Sequence, residues 1–146
     1  MVGADQHIST VHMVLGKDLN PHDTLFAGQA ASYMIECGFL AVQSFLHSRH
    51  IVCLGMDGMQ FCHPVHKGDT IHISSTIVHA GKTSVGVYIA MQRRSDEVTA
   101  ASCFLSFVHI EEESGQARPH QRELPQLDEQ RQALQRQYLA YRSLKQ

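Results

Sequence analysis

The most apolar stretch of the chain is TLFAGQAASYMIECGFLAVQSFLHS, Thr24 to Ser48, bracketed by Asp23 and Arg49. Gln29, Ser32, Glu36, Gln43 and Ser44 interrupt it, and Gly28 and Gly38 lie inside it. That pattern reads as a buried helix of a soluble domain rather than a membrane span. The helix is expected to begin between Leu25 and Gly28, with Thr24 or Asp23 as its N-cap. Upstream, Val11–Leu15 reads as a short strand, and GKDLNPHD as the loop that follows it. Downstream, RHIVCLGMDGMQF gives two short extended pieces, His50–Leu54 and Gly58–Cys62, before a turn at HPVHKGD.

Three longer strands follow. TIHISSTIVHA alternates, with Ile71, Ile73, Ser75 and Ile77 on one face. SVGVYIAMQRR places Val85, Val87, Ile89 and Met91 on one face, and VTAASCFLSFVHIE is the last strand. The turns AGKTS and RSDE between them are tight, so the strands form an antiparallel meander. One long apolar helix has to cover one face of that sheet, which makes the fold class α+β.

The chain changes character near Glu111. Residues 1–112 read as one domain, 113–126 as a polar linker with two prolines, and 127–146 as an amphipathic helix. Leu127, Leu134, Tyr138 and Tyr141 fall on one side of that helix, which packs on the domain's outer surface or on a neighbouring subunit. From Glu111 onward there are six basic and six acidic residues, so a nucleic-acid role for this segment is not expected.

Composition narrows the picture only a little. A chain of 146 residues with a net charge of -2 and 43% hydrophobic residues is one globular domain without electrostatic pull toward nucleic acid or membrane. The N-terminus MVGADQHIST lacks the features of a secretory signal, and a cytoplasmic protein is expected. Cys37, Cys53, Cys62 and Cys103 show no metal-ligand spacing and read as reduced core residues. No metal and no cofactor is expected.

Glu36 is the one formally charged residue of the Thr24–Ser48 stretch. A buried carboxylate is costly unless paired, hydrogen-bonded or protonated. It is therefore a satisfied structural contact or a functional group.

The motifs around it resemble those of a known family. LNPHDTLFAGQ is similar to the Asn-Pro-x-Gly-Thr-x-Phe-Gly-Gly opening of hotdog-fold acyl-CoA thioesterases, through Asn20, Pro21, Thr24, Phe26 and Gly28. MDGMQFCHPVHKGD resembles a second stretch of that family through Asp57, Phe61, Pro64, Val65, Gly68 and Asp69. HAGKTSVGVYI resembles a third through Gly81, Lys82, Thr83 and Ser84. The resemblance spans about Val11 to Val108. It departs from the family at Asp23 and Ala27, where glycines are usual. It also departs at Ile35, the position of the family's helix acid in an ungapped alignment from Gly28.

The resemblance implies a hotdog fold, in which an antiparallel sheet wraps a central helix, and two subunits that join into one continuous sheet with active sites at their interface. It implies hydrolysis of an acyl-CoA to free acid and CoA by a homo-oligomer: a homodimer, a dimer of dimers or a trimer of dimers. The Gly28 backbone N–H would polarise the thioester carbonyl, and Asn20 would orient substrate or water. Glu36 would serve as general base or nucleophile. Phe61 would line the acyl pocket, and Gly81, Lys82, Thr83 and Ser84, with Arg93 as an addition, would hold CoA. His22 reads as a loop residue near the site, and His63 and His66 as exposed turn histidines. Two other readings stand beside this one: a hotdog protein that binds acyl-CoA without turning it over, as a sensor or assembly subunit, and a hotdog dehydratase acting on 3-hydroxyacyl thioesters.

Overall fold

Alternation along a strand creates one dry face, and that face dictates where the long helix goes. The computed structural model describes residues 6–144. The first five residues, and the last two of the expected C-terminal helix, lie outside the described residues. In chain order the elements are β1 (His7–Met13), a short 3-10 turn (Gly16–Asp18), α1 (Ala27–Leu46), β2 (Ile51–Phe61), β3 (Thr70–Ala80), β4 (Ser84–Arg93), β5 (Thr99–His109) and α2 (Glu129–Ser143).

The strands form one antiparallel sheet in the order β1-β3-β4-β5-β2. Only β3, β4 and β5 make a meander. The chain leaves β1, crosses the sheet as α1 and returns as β2 on the opposite edge. The alternating sets Ile71, Ile73, Ser75, Ile77 and Val85, Val87, Ile89, Met91 are all buried. Against them α1 lays Ala30, Met34, Cys37, Gly38, Ala41, Val42, Phe45 and Leu46. Ser75, the one polar member of that face, donates its hydroxyl to the Cys37 carbonyl at 3.1 Å, which removes the cost of burying it.

The two extended pieces expected between His50 and Cys62 are a single strand broken by bulges. The register of β2 against β5 slips between Cys53 and Gly55 and again between Asp57 and Gln60. An extra residue in one strand spoils the two-residue period, so the sequence looks like two fragments. Leu54 is 59% exposed, and Gly58 takes a φ of 62°.

α1 starts at Ala27, within the expected range, but its cap is not the expected one. Its N-cap is Phe26, with no side-chain cap bond. Thr24 cannot cap because its hydroxyl accepts from Asn20, and the Leu25 N–H bonds to the Val65 carbonyl. Asp23 stands in the left-handed region, at a φ of 64°.

What fixes this loop is Asp18, an acid that reads in the sequence as an ordinary loop former. It is fully buried. Its carboxylate accepts the Leu15 N–H and the Tyr33 hydroxyl, each at 2.9 Å. Burial pushes the Asp18 carboxyl up, but these two bonds and nearby Lys17 outweigh it and hold it below its ordinary value.

The second helix covers the other face of the sheet. Tyr138 is buried with Val78 and Phe104, and Leu134, Tyr141 and Tyr88 pack around them. Its hydroxyl bonds Ser106 at 2.8 Å. Gly86 makes this contact possible, since a Cβ there would lie 2.5 Å from the Tyr138 ring. Asp128 caps α2 by accepting the Arg131 N–H at 2.8 Å. Buried Arg131 donates to the Ile77 carbonyl. Leu127 is buried just before the helix rather than on it. Between β5 and α2 the chain is irregular, pinned by His120 on the Ser84 carbonyl at 3.0 Å. Among the described residues no helix is long and apolar enough to cross a membrane.

Two stability predictions follow from these contacts. Gly86→Ala should overpack the sheet against Tyr138 and cost about 1–3 kcal/mol, seen as a lower urea midpoint at unchanged slope. Because the Asp18 carboxyl is lowered on folding from 3.8, its stabilisation is full above that pH and drains as pH falls through the folded value. Asp18→Asn should therefore flatten the loss of Tm on acidification below about pH 5, compared with the parent protein.

Candidate functional site

The loop before α1 and the segment after β2 meet at one end of the sheet and leave a cavity of about 350 Å³ between them. Asn20, Thr24, Ala27 and Ala30 line it on one side, and Phe61, Cys62, His63 and Val65 on the other. Met91 and Ala100 form its floor from β4 and β5.

Asn20 is held by the loop it organises. Its Oδ1 accepts the backbone N–H of His22 at 2.9 Å and of Thr24 at 3.2 Å, and its Nδ2 donates to the Thr24 hydroxyl at 2.8 Å. Asn before Pro suits a turn, and here it makes one. A carboxamide has two N–H donors, so one remains for a ligand on a side chain that already lines the cavity.

The helix start supplies further donors. The first α1 amide with an intrahelical acceptor is that of Ala30, bonded to the Phe26 carbonyl at 3.0 Å. The N–H groups of Ala27, Gly28 and Gln29 precede it, and the missing side-chain cap leaves that turn open. Gly28 is exposed, and a Cβ there would come within 2.6 Å of the Phe26 ring. The absent side chain thus lets Phe26 fold back over the first turn.

Phe61 lines the cavity as expected and is 52% exposed. Arg93 has other partners. Its guanidinium forks onto Asp96 at 2.6 and 3.2 Å and donates to the Pro64 carbonyl at 2.9 Å. Bound in this way, it links the end of β4 to the Pro64 segment of the cavity wall. The Arg93 bond holds the Asp96 carboxyl below its usual range.

The turn Gly81–Ser84 lies elsewhere. The Gly81 N–H bonds the Ser84 carbonyl at 2.9 Å. Gly81 and Lys82 line a separate, larger groove of about 890 Å³ beside Pro119–Leu124. β4 starts at Ser84 and ends at Arg93 beside the first cavity, so roughly 30 Å separates the two places at about 3.3 Å per residue.

Glu36 is not buried in the chain. It is exposed, on the side of α1 opposite the residues that face the sheet, in a stripe with Gly28, Ser32 and Leu40. The expectation of a buried carboxylate fails because the eight core positions already fix the roll of the helix. Ile35, one residue earlier and about 100° away around the helix, is half-buried on its flank. Glu36 stands about 12 Å along the axis from Gly28, at a rise of about 1.5 Å per residue.

Sequence reasoning missed Cys62, His63 and Asp18 at this site. Cys62 is exposed, not a core residue, and lines the cavity with His63. The strand's period could have flagged Cys62, because it follows the last residue of β2 and escapes the sheet. Asp18 left no such signal. Of the other thiols, burial pushes Cys103 up to about 12 and raises Cys37 as well. Among the described residues no three His, Cys, Asp or Glu side chains gather as a metal site.

Comparison with known proteins agrees with this geometry. The profile of the thioesterase superfamily matches residues 22–100. The chain is 27% identical over 116 residues to an uncharacterised acyl-CoA thioester hydrolase, YkhA, of Bacillus subtilis (strain 168), covering 77% of this chain and 66% of that protein. The match thus spans just under two thirds of that relative's length. An acyl-CoA hydrolase from Staphylococcus aureus, in complex with butyryl coenzyme A, coenzyme A and coenzyme A disulfide, superposes with a TM-score of 0.85 at 20% identity, over 99% of this chain and 88% of that one. The apo form of a hexameric acyl-CoA thioesterase gives 0.85 at 23% identity, over 98% and 92%. With the sheet, the central helix and the motif loop arranged as described, the chain belongs to the thioesterase superfamily and has the hotdog fold.

Proposed function

We propose that this protein hydrolyses acyl-CoA thioesters to a free acid and CoA, in a site completed by a second copy of the chain. The observation that carries the reading is the cavity at the uncapped start of α1, which gathers Asn20, Ala27 and Phe61. A thioester carbonyl seated there meets the Gly28 N–H and the positive end of the helix dipole, which stabilise charge developing on its oxygen. The remaining Asn20 N–H orients the carbonyl or the attacking water. Water adds to the carbonyl carbon, the C–S bond breaks, and CoA leaves as the thiol. Phe61 and Val65 enclose the acyl chain.

The other two parts come from the partner. No carboxylate lines the cavity, and Glu36 of the same chain stands two helical turns away on the outward side. Glu36 of a second subunit, laid against the exposed stripe of α1, would supply the general base or nucleophile. The Gly81–Ser84 turn is at the far end of the sheet from its own cavity, so Lys82, Thr83 and Ser84 would hold the CoA of the neighbouring site. Exposed Phe26, Leu40, Val52 and Leu54 on α1 and the β2 edge support such a pairing. The resulting homo-oligomer is built of dimers, in keeping with the hexameric thioesterase whose fold it shares.

A second reading is favoured by one observation: an acid-free cavity within the chain also suits a protein that binds acyl-CoA without turning it over. The two separate in one assay of thiol release from short, medium, long and aromatic acyl-CoAs. Hydrolysis that drops by at least about 10²-fold in Glu36→Gln supports the hydrolase with this base. Turnover that survives in Glu36→Gln removes Glu36 from the chemistry, and binding with no thiol release in the parent protein establishes the second reading. Alkylation offers a check on where the ligand sits. Iodoacetamide should label exposed Cys62 well before buried Cys37 and Cys103, and saturating acyl-CoA should slow the Cys62 reaction several-fold. Equal rates with and without acyl-CoA would place the ligand elsewhere.

A further inference from the structure

We propose that Asp18 is a positioning residue for the donors at the start of α1, acting through the hydroxyl of Tyr33. The inference rests on the hydrolase reading and adds a residue to it that touches neither substrate nor the reacting atoms.

Three bonds to Asp18 hold the helix start and close its own turn, and the Gln29 side chain also bonds its carboxylate. Its Oδ1 accepts the Tyr33 hydroxyl at 2.9 Å, from the second turn of α1. Its backbone carbonyl accepts the Phe26 N–H at 2.8 Å, from the residue that caps the helix. Its Oδ2 accepts the Leu15 N–H at 2.9 Å, which closes the short turn on which Asp18 itself sits. Asp18 therefore grips α1 two residues before Gly28 and five residues after it. Gly28 cannot tilt or slide along the helix axis without breaking one of these grips.

The helix start lacks the usual side-chain cap. Phe26 makes no side-chain cap bond, and Thr24, the natural candidate, is engaged by Asn20. A carboxylate suits this task because it accepts from both donors at once and, being charged, binds them more strongly than a carboxamide. Lys17, 3.8 Å away, balances part of its charge. His12 stacks on the Tyr33 ring at a centroid distance of 4.2 Å, so the ring stays in place when only its hydroxyl is removed. Donors aimed at an oxyanion act through sub-ångström placement, and a small displacement of the helix start is felt in the chemical step more than in binding.

The test is Tyr33→Phe, compared with Tyr138→Phe. The second variant also deletes a buried tyrosine hydroxyl bond, to Ser106, but on the outer face of the sheet. Tyr33→Phe should lower kcat about 10-fold with KM for acyl-CoA within about twofold. Amide hydrogen exchange at Ala27–Gln29 should also become faster. Tyr138→Phe should lower the unfolding midpoint comparably and leave kcat unchanged. Unchanged kcat in Tyr33→Phe, a loss confined to KM, or an equal loss of kcat in Tyr138→Phe would each overturn the positioning role while leaving the hydrolase reading intact. A parent protein that releases no thiol from any acyl-CoA would remove the hydrolase reading, and this role with it.

Discussion

The burial of one side of α1 against the β3–β4–β5 face sets every other position in the molecule. The approach is close. A Cβ on Gly38 would lie 2.7 Å from a Leu105 methyl, with Ile89 and Phe107 next nearest. Each large apolar side chain buried there contributes about 1.5–3 kcal/mol, and Met34, Val42, Phe45 and Leu46 are four of them. Rolling the helix by one residue to bring Glu36 inward would expose part of that set. It would also place an ionised carboxylate where Cys37 now sits without solvent contact, at a further cost of several kcal/mol. The two penalties have the same sign, so the roll of α1 is fixed. The outward direction of Gly28, Ser32, Glu36 and Leu40 is then a consequence rather than a separate feature of the design.

Features set by local periodicity were legible in the sequence, and those set by distant partners were not. β3 and β4 could be read with their inward faces because alternation is a property of neighbouring residues. β2 read as two fragments because its bulges depend on β5 across the sheet. The cap of α1 was misassigned because Thr24 looks like one, and only contact with Asn20 and Val65 removes it from that task. Asp18 was passed over for the same reason. An acid two residues before an Asn-Pro pair resembles loop material, and its value appears only when Tyr33, fifteen residues on, arrives above it. The Gly86–Tyr138 contact joins residues on β4 and α2, and neither residue announces the other.

The motif resemblance and the geometry divide the candidate residues in an instructive way. Asn20, Gly28 and Phe61 converge at one end of the sheet. Gly81, Lys82, Thr83 and Ser84 stand at the other, with the full length of β4 between them. Arg93 lies at the same end as the cavity, where its guanidinium bonds Asp96 and the Pro64 carbonyl. Proximity in the motif list is therefore no guide to proximity in the fold. Under the proposed function, the two ends of the sheet would each supply half of a site.

That separation bears directly on Glu36. A two-fold axis relates opposite ends of paired elements, so each copy can present its Gly81–Ser84 turn and its outward carboxylate to the other copy's helix start. In such an arrangement the length of β4, which keeps the half-sites apart within one chain, is what lets them meet between chains. The displacement of the acid from Ile35 to Glu36 then has a physical reading. A side chain at Ile35 lies on the half-buried flank, within its own subunit's packing, whereas one at Glu36 points straight out along the stripe that a partner would cover. The desolvation that makes a carboxylate a useful base must in that case come from assembly and not from folding, and catalytic competence would be a property of the oligomer alone.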